Sequence, residues 1–271
     1  MKDETVLSAH PVSDEMRATV LDELAALERR HQMKVLFASE SGSRGWGFAS
    51  PDSDYDVRFV YVNRLPWYLA VEPGRDVIEQ PISGELDICG WDLRKALHLL
   101  RESNPTLLEW LRSPIVYRQE TPWVGRLRGL AEEGFSPVRG YHHYVSMARK
   151  NLREHLYGER VRYKKYLYVL RPLLAARWIR EGHGIPPMRF AELASRMLTD
   201  RALLDEINML LEVKMRAGES ATSPRWGGIH DFIERELAVA MAHRPDKGPK
   251  ADREGLDRYL HDAVLHFEAQ A

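Results

Sequence analysis

The reading of this chain turns on residues 41–58: Ser41-Gly42-Ser43-Arg44-Gly45-Trp46-Gly47, then, after Phe48-Ala49, Ser50-Pro51-Asp52-Ser53-Asp54-Tyr55-Asp56-Val57-Arg58. Ser50 to Ser53 carries turn chemistry. Asp54 to Val62 is rich in Tyr, Val and Phe and reads as a β-strand. Strand side chains alternate, so Asp54 and Asp56 are expected on one face. Two carboxylates held side by side repel unless a cation lies between them. Oxygen ligands of this kind suit Mg²⁺, which keeps waters and takes one or two carboxylates plus substrate phosphates. Upstream, Gly42 and Ser43 are small enough for backbone N–H groups to approach a phosphate, and a helix starting there would add its positive end. A phosphate cradle followed closely by an acidic pair points to chemistry on a nucleoside triphosphate.

A third acid would complete such a set. Val77-Ile78-Glu79 and Leu86-Asp87-Ile88-Cys89 flank Pro81 to Gly84 and read as a hairpin, which makes Asp87 the candidate. In a two-metal site an acid so placed polarises the attacking hydroxyl, while the metals steady the attacking and leaving oxygens. Glu85 shares the face of Asp87 and ranks below it. Glu40 is expected only to support the glycine loop. Before this region, Ser13 reads as an N-cap with Asp14 and Glu15 in the first turn. Met16, Val20, Leu24 and Leu27 recur at helical spacing as far as Arg30, and Val35 to Ala38 reads as a buried strand.

The 271 residues suffice for one large domain or two smaller ones. A formal net charge of -1 argues against a wholly basic nucleic-acid coat or an acidic tail protein. The one cysteine, Cys89, leaves no internal disulfide and no cysteine-based zinc site, and suits a reducing, cytoplasmic setting. No apolar run is long enough for a transmembrane helix, and Met1-Lys2-Asp3-Glu4 is too acidic for a signal peptide.

Gly42-Ser43, Ser53-Asp54-Tyr55-Asp56-Val57 and Asp87 together resemble the signature of the DNA polymerase β-like nucleotidyltransferase superfamily: a Gly-Ser pair, an acid-x-acid strand and a third strand acid. With Arg44, Trp46 and Arg58 included, the stretch more narrowly resembles the RNA-repair-pathway, RNA-ligase-associated nucleotidyltransferases. Lys165-Tyr166-Leu167-Tyr168 and Leu170-Arg171-Pro172 extend the similarity into the second half. The resemblance implies a small mixed sheet carrying helices, followed by a helical substrate-binding domain. It also implies Mg²⁺-dependent nucleotidyl transfer with pyrophosphate release.

From Leu93 onward the pattern is helical. Asn104-Pro105 is a helix start, and helices are expected near 140–156, 161–180, 190–198, 202–215, 229–242 and 252–269. Ala217 to Gly228 and Arg244 to Gly255 read as loops. Between Arg149 and Lys165, seven basic residues stand against Glu154 and Glu159. On a wheel of 161–180, Tyr166, Leu167, Leu170, Leu173 and Leu174 form an apolar face. Lys164, Lys165, Tyr168 and Arg171 gather opposite, where they would meet solvent or bind the triphosphate and stack a base. Trp46, between two glycines, is a further candidate to touch ligand.

The expectation is therefore an α+β chain: a nucleotidyltransferase domain over residues 1–113 and an all-helical domain over 114–271. Gly42, Ser43 and Arg44 would hold the β- and γ-phosphates. Asp54, Asp56 and Asp87 would be catalytic and bind two Mg²⁺, with Mn²⁺ as a substitute. The expected partners are a nucleoside triphosphate and an RNA 3′ end, with no membrane. A protein or small-molecule acceptor, and a catalytically silent nucleotide-binding or antitoxin-like module, are the alternatives.

Overall fold

The computed structural model describes residues 10–72, 74–82, 84–216, 221–249 and 251–270. The first half runs α1 (Asp14–His31), β1 (Lys34–Glu40), α2 (Gly42–Trp46), β2 (Tyr55–Val62), α3 (Leu65–Tyr68), β3 (Val77–Glu79), β4 (Leu86–Asp92), α4 (Leu93–Arg101), α5 (Pro105–Leu111) and β5 (Val116–Gln119). The second runs α6 (Thr121–Glu133), α7 (Pro137–His155), β6 (Arg160–Arg162), α8 (Tyr163–Arg180), α9 (Phe190–Met197), α10 (Arg201–Arg216), β7 (Thr222–Pro224), α11 (Gly227–Ala242) and α12 (Arg253–Glu268). The chain is α+β, as expected. Among the described residues no helix is long and apolar enough to cross a membrane.

Two compact units emerge, and they do not follow a single cut near residue 113. One comprises Val12–Gly42, Asp54–Phe135 and Pro249–Ala271; the other comprises Met1–Pro11, Ser43–Ser53 and Ser136–Gly248. The expected boundary is corrected in three places: α6 and α12 belong with the sheet, and the loop Ser43–Ser53 belongs with the later helices. The cause is long-range packing, which a linear reading of composition does not see.

The sheet unit holds five strands in the order β3-β4-β2-β1-β5. β2 and β4 run parallel, and the other pairs are antiparallel. α1 starts where Ser13 Oγ accepts from the Met16 N–H at 3.1 Å, with Asp14 and Glu15 at the positive end of the dipole. It buries Val20, Leu24 and Leu27 in a core with Val35, Val57, Phe59 and Ile88. These side chains remove apolar surface from water on one face of β2 and leave the alternate positions, Asp56 and Arg58, to the other face. α5 begins at Pro105, with Asn104 Oδ1 accepting from the Leu107 N–H. β5 was missed by the sequence reading. It is four residues long, two of them polar, and its strand character comes from pairing with β1.

In the helical unit, α8 is buried nearly all round: Tyr166, Leu167, Val169 to Ala176 and Ile179 are all out of solvent. This corrects the two-faced wheel: buried positions occur around the whole helix, and no residue of α8 is fully exposed. β6 pairs with β7 through Val161 and Ser223, so 222–224 is a strand rather than loop. Of the segments discussed above, residues 1–4, Ser83 in the hairpin turn, 217–220 and Lys250 lie outside the described residues.

Candidate active site

The acidic set belongs to the sheet unit. Asp54 lies exposed just ahead of β2, which begins at Tyr55, so it stands at the strand's mouth and not within it. The Tyr55 N–H donates to the Glu85 carbonyl at 2.7 Å, which starts the parallel pairing of β2 with β4. That register sets Asp56 directly beside Asp87 and Arg58 beside Cys89. Neighbouring residues of paired strands share a face, so two carboxylates are forced together. Glu85 itself is exposed.

Between the two acids lies a cation that the sequence reading did not assign. Arg58 Nη2 donates to Asp56 Oδ1 and to Asp87 Oδ2, each at 2.7 Å, and Arg58 Nη1 donates to the Asp87 carbonyl at 3.0 Å. Burial works against the guanidinium charge, but the hydrogen bond to Asp87 and the fields of Asp56 and Asp87 outweigh it, raising the pKa above arginine's ordinary value. Burial likewise pushes the Cys89 thiol up, which makes it a poor nucleophile at neutral pH. Period-two alternation from Asp56 would have placed Arg58 on the same face, so a signal for it existed.

Gly42 closes this site from the other side. Its φ of +55° lies in the left-handed region, and a Cβ there would meet Asp56 Oδ2 at 1.9 Å. Only glycine lets the backbone come this close to the carboxylate. The Ser41 N–H donates to the Asp56 carbonyl at 2.8 Å, and the Asp56 N–H donates to Glu40 Oε1 at 2.9 Å. Glu40 is fully buried, and its Oε2 accepts from the Tyr117 hydroxyl of β5. Ser113 Oγ donates to the Glu40 carbonyl at 2.6 Å. Glu40 thus ties β1, β2 and β5 together under Asp56, where the sequence had suggested support of the glycine loop.

The remaining candidates lie in the helical unit. Ser43 is buried, and its carbonyl accepts from the Gly47 and Phe48 N–H groups at 3.1 and 3.0 Å. Arg44 is only 6% exposed and donates to the carbonyls of His10 at 3.1 Å and Ser53 at 2.8 Å. Lys214 of α10 was missed. It is 3% exposed, with Nζ donating to the Phe48 carbonyl at 2.7 Å and lying 3.3 Å from Ser50 Oγ. No local pattern distinguishes it from a surface lysine.

On α8, the expected open basic face is corrected at Arg171, which is 3% exposed. Its Nε and Nη2 donate to the Met188 carbonyl, and its guanidinium lies 4.7 Å from the Trp46 ring centroid. Tyr168 meets Trp46 edge-on at 5.5 Å, and Lys165 Nζ lies 5.0 Å from the Tyr168 ring. Lys164, Lys165 and Tyr168 are half-buried. The structure therefore gathers Gly42, Asp56 and Asp87 in one unit, and Trp46, Lys165, Tyr168 and Arg171 in the other.

Among the described residues no preassembled group of three or more His, Cys, Asp or Glu side chains forms a metal cage. The donors nevertheless suit a hard divalent cation. Asp56 Oδ1 and Asp87 Oδ2 bind one guanidinium nitrogen at 2.7 Å each, so they lie no farther apart than twice that length. An octahedral Mg²⁺ needs neighbouring ligands within roughly 3–4 Å of one another, a small adjustment for two aspartates.

A strand pair thus presents adjacent acids beside a glycine-opened turn. The chain matches the family described as "RlaP: RNA repair pathway DNA polymerase beta family" over residues 16–262, and it belongs to that family. It is 45% identical over 251 residues to a protein of Bacillus subtilis (strain 168) named "Uncharacterized protein YcgL", covering 93% of this chain and 96% of that one. Among solved structures it aligns with a nucleotidyltransferase-like protein from Exiguobacterium sibiricum 255-15, at 14% identity and a TM-score of 0.31. That alignment covers 92% of this chain and 76% of the other, and so loose a likeness carries no argument.

Proposed function

We propose that this protein transfers a nucleoside monophosphate from a nucleoside triphosphate to an RNA 3′ hydroxyl, releasing pyrophosphate. The observation that carries the reading is the in-register pair Asp56 and Asp87, with Asp54 at the strand mouth and Gly42 against the Asp56 carboxylate. Membership in a polymerase β family supports it, since such nucleotidyltransferases generally use divalent metals.

Asp54, Asp56 and Asp87 are the proposed holders of two Mg²⁺, with Mn²⁺ as a substitute. Bound there, the ions would neutralise phosphate charge and lower the cost of ionising the acceptor hydroxyl. Asp87 orients that hydroxyl. The hydroxyl gives its proton to Asp87, and its oxygen bonds to the α-phosphorus as the bond to the bridging β-phosphate oxygen breaks and pyrophosphate leaves. Gly42 and Ser43 offer backbone N–H groups to the β- and γ-phosphates. Arg44 adds positive field at that end while its donors hold His10 and Ser53. Within the helical unit, Lys164, Lys165 and Tyr168 are proposed nucleotide contacts, and Arg171 and Tyr168 both pack on Trp46. Exposed Arg149, Lys150, Arg153, Arg160 and Arg162 favour an RNA acceptor through phosphate contacts. A reducing, cytoplasmic setting completes the proposal.

A silent nucleotide-binding module is the second reading, favoured by the guanidinium already lodged between Asp56 and Asp87. The test is incubation with each α-labelled triphosphate, Mg²⁺ and total RNA. The expected product is labelled RNA that requires the metal and vanishes in Asp54→Ala and in Asp56→Ala. Transfer retained in both variants refutes the assignment, and no transfer under any condition favours the silent module. Label that resists ribonuclease moves the acceptor to protein.

A further inference from the structure

We propose that Arg58 is an internal counter-ion for the metal site: its guanidinium holds Asp56 and Asp87 together before a divalent cation arrives, and the cation must displace it from at least one of them. The inference rests on the reading of these acids as metal ligands. It goes beyond that reading in giving the site a built-in competitor that sets how much metal is needed to load it.

Parallel register puts Asp56 beside Asp87, and strand alternation puts Arg58 on the same face two residues on. Without a cation, two carboxylates this close and partly withdrawn from water would repel and splay apart. Arg58 prevents this with two charge-assisted bonds of 2.7 Å from one nitrogen, and is anchored by further bonds to the Asp87 and Val57 carbonyls. All of its donor contacts are on this short stretch of β2 and β4. On the Asp56 carboxylate, Oδ2 lies against Gly42 and Oδ1 carries the guanidinium. A divalent cation held by both acids would share the carboxylates that Arg58 now occupies, and two positive centres on the same carboxylates repel. The same side chain therefore preorganises the acids and opposes their loading.

Mn²⁺ binding by the full-length protein, read from the loss of the free-ion EPR signal without nucleotide, tests this. The variants are Arg58→Gln, Arg58→Lys and, as the site control, Asp56→Asn. The expectation is weak wild-type binding that Asp56→Asn abolishes and Arg58→Gln tightens by roughly ten-fold, since the competing charge is gone. Arg58→Lys, which keeps the charge without the fork, should fall between them. Arg58→Gln should also melt earlier than wild type in EDTA and regain more on Mn²⁺ addition. Wild-type binding through Asp56 that Arg58→Gln leaves unchanged or weakens overturns the counter-ion role and leaves the metal reading standing. No Mn²⁺ binding by wild type and Arg58→Gln alike overturns both. Should Arg58→Gln not fold, Mn²⁺-loaded wild-type crystals decide: Arg58 is expected off at least one carboxylate, and an intact two-acid bridge beside bound Mn²⁺ refutes the proposal.

Discussion

Replacing Gly42 with alanine probes the site through one methyl group, and Gly84 provides the matched control. Both glycines have left-handed backbone, with φ of +55° and +61°. A Cβ at Gly84 meets nothing within 4 Å, whereas one at Gly42 falls 1.9 Å from Asp56 Oδ2. An L-residue in this region costs about 1–2 kcal/mol, and alanine recovers about 0.4–1 kcal/mol by stiffening the unfolded chain. Gly84→Ala should therefore lose about 0.5–1 kcal/mol and keep full nucleotidyl transfer. Gly42→Ala bears the same backbone cost and must also push the Asp56 carboxylate aside by more than 1 Å. The displaced carboxylate gives up its bond to Arg58, and losing one charge-assisted hydrogen bond adds about 1.5–3 kcal/mol. With Asp56 as the proposed metal ligand, a misplacement of about 1 Å should also slow the proposed transfer by roughly 100-fold. Urea unfolding and the labelled-transfer assay, run on both variants, separate the two effects. Gly42→Ala with the stability and rate of Gly84→Ala would show that the approach of Gly42 to Asp56 has no functional consequence, and would refute the reasoning.

Two further outcomes follow from other parts of the molecule. Lys214→Met should lose about 1–3 kcal/mol in urea unfolding, because the buried Phe48 carbonyl loses its 2.7 Å donor, and unchanged stability would show that Lys214 does not hold this loop. At the end of α12, the hydrogen bonds from Arg64 and the Leu65 N–H hold the Glu268 carboxylate down to about 2. A depressed acid contributes stability that is present above its unfolded value and is lost as pH falls toward 2. Thermal melts of Glu268→Gln should lack the part of the acid-side loss between roughly pH 4.5 and 2 that wild type shows. Parallel pH profiles would remove Glu268 from the account.

Short-range chemistry, legible along the chain, sets the helix starts and the first strands. Ser13 and Asn104 are helix starts because their side chains accept from N–H groups three residues on. β1 and β2 follow from apolar and β-branched runs, and Asp56 from strand alternation beside a small-residue turn. Much of the proposed site was legible for that reason: a glycine turn followed by two acids at the start of a strand is local in the chain, although Asp54 proved to lie just ahead of β2. Asp87 was legible as a strand acid, but its place directly beside Asp56 depends on the parallel register of β2 and β4, which no local pattern encodes. The tertiary structure alone decided that Tyr117 on a four-residue edge strand would reach buried Glu40, and that Lys214 would turn inward beneath the Phe48–Ser53 loop. It alone buried Arg171 on a helix whose sequence suggested an open basic face. In each case the deciding partner lies far away in sequence. Whether a polar group is buried depends on whether folding brings it a partner, and only the packed chain supplies that.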